Sequence, residues 1–368
     1  MKKSLPAALL ALMVTASLAA CGAAPEKEAT PEATDTTDAS APAADFKACM
    51  VSDQGGFDDK SFNQSGKEGL DKAKAELGIA VSFAESKDPG DFVPNINNLI
   101  AEKCGLIIGV GFMLNDAIRD AAQANPDVHF ALVDSRITDK EFNVLDLPNA
   151  KPLIFNTAEA AYLAGYAAAA MSESSKVGTF GGMQIPSVSI FMDGFADGVA
   201  RFNEDAGAAV QLLGWDKAAQ NGSFVGSFED QNKAKQLSEG LLSQGADVIM
   251  PVAGPLGAAT ATAVKESEAN DMVIWVDSDG FESTSDGAVI LTSVVKEIGQ
   301  SVFDSVKASK EGNFSSAPYV GTLENKGVSL APFHDFDSKV PAPIKETLKK
   351  LQDEIVAGTL KVETTNQP

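Results

Sequence analysis

Asp53, Asn63, Asp134, Asp277 and Lys296 are the polar side chains of this sequence that could do chemistry together, and Phe57 and Phe228 are the flat apolar ones. Each of the five polar residues follows or ends a strand-like run, or opens the helix after one. Carboxylates and amides suit hydroxyls and ring nitrogens, and a phenylalanine ring suits the face of a planar group. The set therefore fits a neutral polyhydroxyl ligand with an aromatic part better than it fits an anion. Taken singly, each of these residues is an ordinary turn or surface type, and the shared placement is what marks them.

Other chemistries find little support. The two histidines, His129 and His334, sit at the start of a strand and in a late loop. Neither lies near a Gly-x-Ser-x-Gly elbow, which the sequence lacks. No Cys/His spacing of a zinc site occurs. Gly109-Val-Gly111 ends a strand, but the third glycine of a dinucleotide fingerprint would fall at Leu114. Gly56-Phe-Asp-Asp-Lys60-Ser61 lacks the glycine spacing of a phosphate loop and carries two acids where phosphate would sit. Asp277-Ser-Asp279-Gly280 begins like a calcium loop, yet its twelfth position is Ala288 rather than glutamate. No catalytic residue, metal or cofactor is expected, and the chain reads as a binding protein rather than an enzyme.

The elements that must carry the set follow from hydrophobic period. Strand-like runs span 46–52, 80–85, 106–111, 129–134, 176–182, 209–215, 248–252, 273–277 and 288–292. Helical patterns over 61–77, 91–103 and 114–124 separate the early ones, and further helical stretches separate most of the rest. Alternating strands and helices predict an α/β fold with parallel sheets flanked by helices. The pattern doubles, with one half over about 45–155 and a second over about 156–289. Ligands of open α/β sheets bind beyond the carboxyl ends of the strands. Asp134 and Asp277 end equivalent runs, Ala-Leu-Val-Asp and Ile-Trp-Val-Asp, so the two halves predict a cleft between two lobes.

The N-terminus reads as an export signal over 1–20: Lys2 and Lys3, an apolar run from Leu5 to Ala20, and small residues at the cleavage point. An uncleaved membrane anchor is the alternative, although the run is short for a bilayer. Leu18-Ala19-Ala20-Cys21 resembles the lipobox of bacterial lipoproteins, which implies acylation of Cys21 and cleavage just before it. Two or three acyl chains suffice for stable anchoring. The segment 21–44 holds Ala, Pro, Thr, Glu and Asp with almost no large apolar side chain, as a disordered tether does. The net charge of −22, about −24 once Lys2 and Lys3 are removed, excludes nucleic acid as a natural partner. It also leaves adhesion to anionic lipid to the anchor. Cys49 and Cys104 remain as a pair in an exported chain, either bridged or as two buried thiols. A sheet order of 2-1-3 would make their strands neighbours.

Several segments resemble the basic membrane protein family, the purine nucleoside receptor-like lipoproteins. They include Val51-Ser-Asp-Gln-Gly-Gly-Phe-Asp-Asp-Lys-Ser-Phe-Asn63, Gly109-Val-Gly-Phe112, Glu159-Ala-Ala-Tyr-Leu-Ala-Gly-Tyr166 and Gly178-Thr-Phe-Gly-Gly-Met183. Gly226-Ser-Phe-Glu-Asp230, Gln244-Gly-Ala-Asp-Val-Ile249, Val276-Asp-Ser-Asp279 and Leu291-Thr-Ser-Val-Val-Lys296 continue the pattern in the family's order. The resemblance implies a two-lobed periplasmic-binding-protein fold of the sugar-binding type with three crossovers. In that fold 290–325 would complete the first lobe and 326–368 the second. It implies a monomeric, lipid-anchored receptor that delivers a nucleoside to the permease of an ABC importer. By position, Phe57 and Phe228 would sandwich the base, and Asn63 and Asp134 would hydrogen-bond it. Asp277, Lys296 and the backbone near Gly254 would hold the ribose, and Asp53 would support the first loop. The turn here reads Ala253-Gly254-Pro255-Leu256-Gly257, and Pro255 removes one backbone donor. A sugar or signal-molecule receptor of the same fold, a nucleoside-processing enzyme and a surface antigen are the rival readings.

Overall fold

The computed structural model describes residues 45–267 and 269–368. The expected signal, Cys21 and the tether lie outside them. The first lobe begins with β1 (Lys47–Val51), α1 (Phe62–Leu77), β2 (Ala80–Ala84) and α2 (Phe92–Ala101). It continues with β3 (Leu106–Val110), α3 (Asn115–Ala124), β4 (His129–Val133) and β5 (Ala150–Phe155). The second lobe follows with α4 (Thr157–Met171), β6 (Lys176–Gly181), α5 (Pro186–Ala206), β7 (Gln211–Leu213), β8 (Trp215–Asp216) and β9 (Asn221–Gly222). Then come α6 (Gln231–Ser243), β10 (Val248–Val252), α7 (Gly257–Glu266), β11 (Met272–Asp277), the short α8 (Gly280–Ser283) and β12 (Ile290–Lys296). The chain closes with α9 (Ile298–Lys310), β13 (Tyr319–Gly321), β14 (Val328–Leu330) and α10 (Ala342–Val356).

Both sheets are six-stranded. The first runs β2-β1-β3-β4-β5-β13, all parallel, and the second β7-β6-β10-β11-β12-β14, with β14 alone antiparallel. The α/β fold expected from the alternating pattern is the one observed. β1 shows how one strand serves two cores. Ala48 and Met50 pack with Leu70 and Ala73 of α1, while Cys49 and Val51 pack with Phe92 and Ile96 of α2. Burial on both faces is why such strands read as continuous apolar runs. Cys49 and Cys104 form a disulfide, with Cα atoms 5.9 Å apart, beside the β1–β3 ladder.

Three details differ from the sequence reading. Residues 150–155 form a strand, although Lys151-Pro152 interrupts the apolar pattern. The run at 209–215 breaks at Gly214, whose φ of 87° turns the chain from β7 into the β8–β9 hairpin. The strand expected at 288–292 lies at Ile290–Lys296 and pairs with β11, so the return to the first lobe comes after Lys296 rather than near 290. The reason is packing: Leu291 and Val294 are buried in the second lobe, while α9 carries Ile298, Val302 and Val306 back against α1.

Three chain passages join the lobes, and backbone bonds lace them side by side. Asn156 donates to Gly321 O (2.8 Å) and Glu297 to Gly327 O (2.9 Å). The Glu159 carboxylate accepts from Leu323 N (2.7 Å) and Asn156 Nδ2 (2.8 Å). Behind them, α4 is buried around nearly its whole circumference, which is why its Ala-rich sequence shows no polar stripe. It meets α5 so closely that a Cβ at Gly198 would lie 2.0 Å from the carbonyl oxygen of Tyr162.

Candidate functional site

A cleft lies between the lobes, at the carboxyl ends of both sheets. The first lobe's wall is the loop from Asp53 to Asn63, the turn after β3, and Asp134. Asp59 organises this loop. Its Oδ1 accepts from the backbone of Ser61 and Gln64 (3.0 Å each) and its Oδ2 from the backbone of Asn63 (2.8 Å), capping the N-terminus of α1. Asn63 then donates its side-chain amide to Asp53 Oδ1 (2.7 Å) and Asp59 Oδ2 (3.0 Å). Asp53 also accepts from Gly55 N at 3.1 Å. Burial pushes the Asp53 carboxyl up to about 6, against the bonds from Asn63 and Gly55 and with the charges of Asp59 and Asp277 adding to the rise.

At the other end Lys296, the last residue of β12, reaches across the cleft. Its Nζ pairs with Asp134 of the first lobe and with Asp277 of the second, the latter at 3.2 Å. Burial opposes its charge, but the two carboxylates outweigh burial and raise its pKa above the ordinary lysine value. The rings of Phe191, Phe62 and Phe155 surround the ammonium at 4.9, 5.0 and 6.0 Å, a cation–π box that helps keep it charged. Ser61 Oγ donates to Val276 O (3.0 Å) and Asp277 Oδ2 (3.2 Å), another bond between lobes. Asp134 and Asp277 both adopt left-handed backbone, with φ of 63° and 70°. Aspartate tolerates that conformation better than most residues, and it turns both strand-end carboxylates toward the same ammonium. Two carboxylates against one ammonium leave acceptors over, which suits hydroxyl donors and disfavours an anion.

Asp53, Asn63, Asp134, Phe228, Gly254, Asp277 and Lys296 all line this cleft. Phe57 does not. It is buried against Phe83, ring centroids 5.3 Å apart and edge to face, with its backbone N–H donating to Glu85 at 3.2 Å. The tight turn at Gly55-Gly56, with φ of 67° at Gly56, directs Phe57 into the first lobe instead. The aromatic residues of the first lobe that line the cleft are Phe62 and Phe112, facing Phe191 and Phe228 of the second. Asp134, expected beside Asn63 on the base, lines the cleft and pairs with Lys296. Phe62, Phe112, Phe191 and Asp59 were not among the residues the sequence singled out. Phe62 and Phe112 lie within segments that it did, one residue from Asn63 and one from Gly111. Among the described residues no cluster of His, Cys, Asp or Glu could hold a metal ion, and no helix is long and apolar enough to cross a membrane.

The family described as "ABC transporter substrate-binding protein PnrA-like" matches residues 46–364. An ABC transporter nucleoside-binding protein, BmpA, of Lactococcus lactis is 31% identical over 336 residues, covering 86% of this chain and 89% of the relative. A CD4+ T-cell-stimulating antigen of Listeria monocytogenes is 32% identical over 337 residues, covering 86% and 88%. Among solved structures, an ABC transporter solute-binding protein of Aeropyrum pernix superposes with a TM-score of 0.76 at 23% identity, over 86% of this chain and 92% of that one. The cleft between two parallel sheets, its hydroxyl-seeking acids and the match over nearly the whole folded part agree: this chain belongs to the PnrA-like family of ABC transporter substrate-binding proteins.

Proposed function

We propose that this protein is an extracytoplasmic lipoprotein, anchored through Cys21, that binds a nucleoside, purine favoured, and delivers it unchanged to the permease of an ABC importer. The observation that carries the reading is the composition of the cleft. Rings from opposite lobes, Phe112 and Phe228, line the same space as the Asp134–Lys296–Asp277 group. A planar base gains stacking and area burial between aromatic faces. A ribose diol donates to the carboxylates and accepts from the ammonium. Gly254, with φ of 54°, brings backbone close to the same space. Each lobe supplies part of the site, so ligand binding favours lobe closure. The name of the Lactococcus relative supports the same ligand class.

The test is calorimetry on full-length protein freed of carried ligand by unfolding and refolding. Adenosine, guanosine, inosine, cytidine, adenine and ribose are compared. Purine nucleosides should bind with a Kd of about a micromolar or tighter, while adenine and ribose, each filling half the site, bind far more weakly. Recovered nucleoside should be chemically intact. Ribose binding as tightly as any nucleoside would replace this reading with that of a sugar receptor.

A further inference from the structure

A second groove opens off the cleft. It shares Phe112, Asp134 and Ser187 with the cleft wall and is lined by both lobes. Ile154 and Phe155 of the first lobe and Ile190 of α5 form its floor, and all three are buried. Phe142, Val144 and Pro186 form its rim. Among the described residues only four large apolar side chains are exposed, and Phe142 (73%) and Val144 (53%) are two of them. Apolar side chains gathered at one exposed place mark a surface that something covers. Phe142 is held there by a built turn. Its backbone is left-handed, with φ of 63°, which is uncommon for an aromatic residue. The Asp139 carboxylate secures the turn by accepting from Glu141 N (2.9 Å), Asn143 N (2.8 Å) and Asn143 Nδ2 (2.9 Å). Residues 366–368 make the far wall. Asn366 Nδ2 donates to Asp193 (2.9 Å) and Gln220 (2.8 Å), and Thr364 donates to the same fully buried Asp193. That wall is thus pinned to the second lobe, while Phe142 and Val144 belong to the first.

We propose that this groove is a subsite for an apolar substituent on C5′ of the ribose. The protein then takes 5′-alkylthio nucleosides as well as nucleosides with a free 5′-hydroxyl. The inference rests on the nucleoside reading above and names a further ligand class for the same cleft. Asp134 pairs with Lys296, and the Phe155 ring lies 6.0 Å from that ammonium. Both residues line the groove, so it meets the cleft at the end where the network takes the ribose. With the 2′- and 3′-hydroxyls on that network, C5′ is the ribose carbon left to carry a substituent. An alkyl chain there would cover Phe142 and Val144 and lie on Ile154 and Ile190, gaining apolar burial along its length. An anionic substituent gains little. The floor is apolar, Asp134 faces the groove, and Arg136 is the one cation among the lining residues. Because both lobes line the groove, lobe closure encloses the substituent together with the nucleoside.

Calorimetry on ligand-free full-length protein compares adenosine, 5′-deoxyadenosine, adenosine 5′-monophosphate and a series of 5′-deoxy-5′-alkylthioadenosines from methyl to butyl. Affinity should rise along the series by about two- to fourfold for each added methylene group. The monophosphate should bind more weakly than adenosine. Phe142→Ser combined with Val144→Ser, both at exposed positions, should flatten that rise and leave adenosine affinity within about twofold of wild type. Three outcomes overturn the subsite and leave nucleoside binding standing where adenosine itself binds. They are a flat series in the wild-type protein, a monophosphate that binds more tightly than every alkylthio nucleoside, and a rise that survives the double substitution. Failure of adenosine and all its derivatives to bind overturns both readings. The wild-type series needs no variant, so a misfolded double variant would not shield the proposal.

Discussion

Phe57 shows how a residue can carry the right chemistry and face the wrong way. A phenylalanine in a loop beyond β1 is a reasonable stacking partner, but its ring packs edge to face on Phe83 and is buried in the first lobe. The consequence can be measured. Phe57→Ala should destabilise the protein by about 3–5 kcal/mol through the cavity it leaves, with nucleoside affinity changed little in the fraction that folds. Phe228→Ala and Phe112→Ala should reverse the pattern. Both side chains are only half-buried, so stability should change modestly. Each variant should lose on the order of 2–4 kcal/mol of binding, about thirty- to a thousandfold in affinity. Denaturant melts beside calorimetry separate the two effects. A Phe57→Ala protein of full stability that binds nothing would restore the stacking role to Phe57. The acids at 53, 134 and 277 were legible because each follows or ends a strand. That Asp134 of the first lobe joins Asp277 on Lys296 was not, because Asp134 lies on the other lobe.

At the scale of elements, strands announced themselves better than their limits. Continuous apolar runs marked β3, β10 and β11 because both faces of each sheet are covered. β5 was missed because Pro152 interrupts its pattern, and β12 was placed early because its last turn of sequence, Thr-Ser-Val-Val-Lys, is not a uniform apolar run. α4 and α5 make an informative pair. Gly198 of α5 faces the Tyr162 carbonyl of α4, and Gly165 of α4 faces the Phe195 carbonyl of α5, where added Cβ atoms would lie 2.0 and 2.1 Å away. These are backbone atoms in two long helices that form the second lobe's core, so they cannot swing aside. Gly198→Ala should therefore destabilise by about 1–3 kcal/mol or more through overpacking, although alanine favours the helix. The same substitution at Gly240, where an added Cβ meets nothing within 4 Å, should be neutral or slightly stabilising. Urea melts of the two variants side by side check the contrast, and equal effects would refute the close helix contact.

For the whole molecule, the three passages near Asn156, Glu297 and Thr322–Gly327 tie the lobes at one end, while Lys296 and Ser61 bridge them at the floor of the cleft. A ligand that takes over part of the Asp134–Lys296–Asp277 network contacts both lobes at once. That is the physical basis for closure driven by binding. The first residues of the chain bear on where the domain works. A short apolar export signal, a cysteine at the cleavage point and a polar tether predict that the lipid, rather than the protein, meets the membrane. Cys21→Ser should move the protein from the detergent phase to the aqueous phase on Triton X-114 separation, or leave it unprocessed. Wild-type partitioning of the variant, cut at the same place, would remove the lipid anchor from the account.

The sequence by itself determined the α/β alternation, the ends of the strands at which a ligand must bind and, through its motifs, the family. All three depend on local pattern: the period of apolar residues, the residue types at turns, and short runs in fixed order. Tertiary structure decided the rest. Phe57 turned inward because Gly56 takes a positive φ and Phe83 offers a buried face, a contact 26 positions away in sequence. Asp134 met Lys296 across 162 positions, and Asn63 acquired a definite amide orientation only once Asp53 and Asp59 stood on either side of it. Which way a side chain faces, and which charge it faces, depends on how two sheets approach each other, and local sequence pattern does not encode that distance.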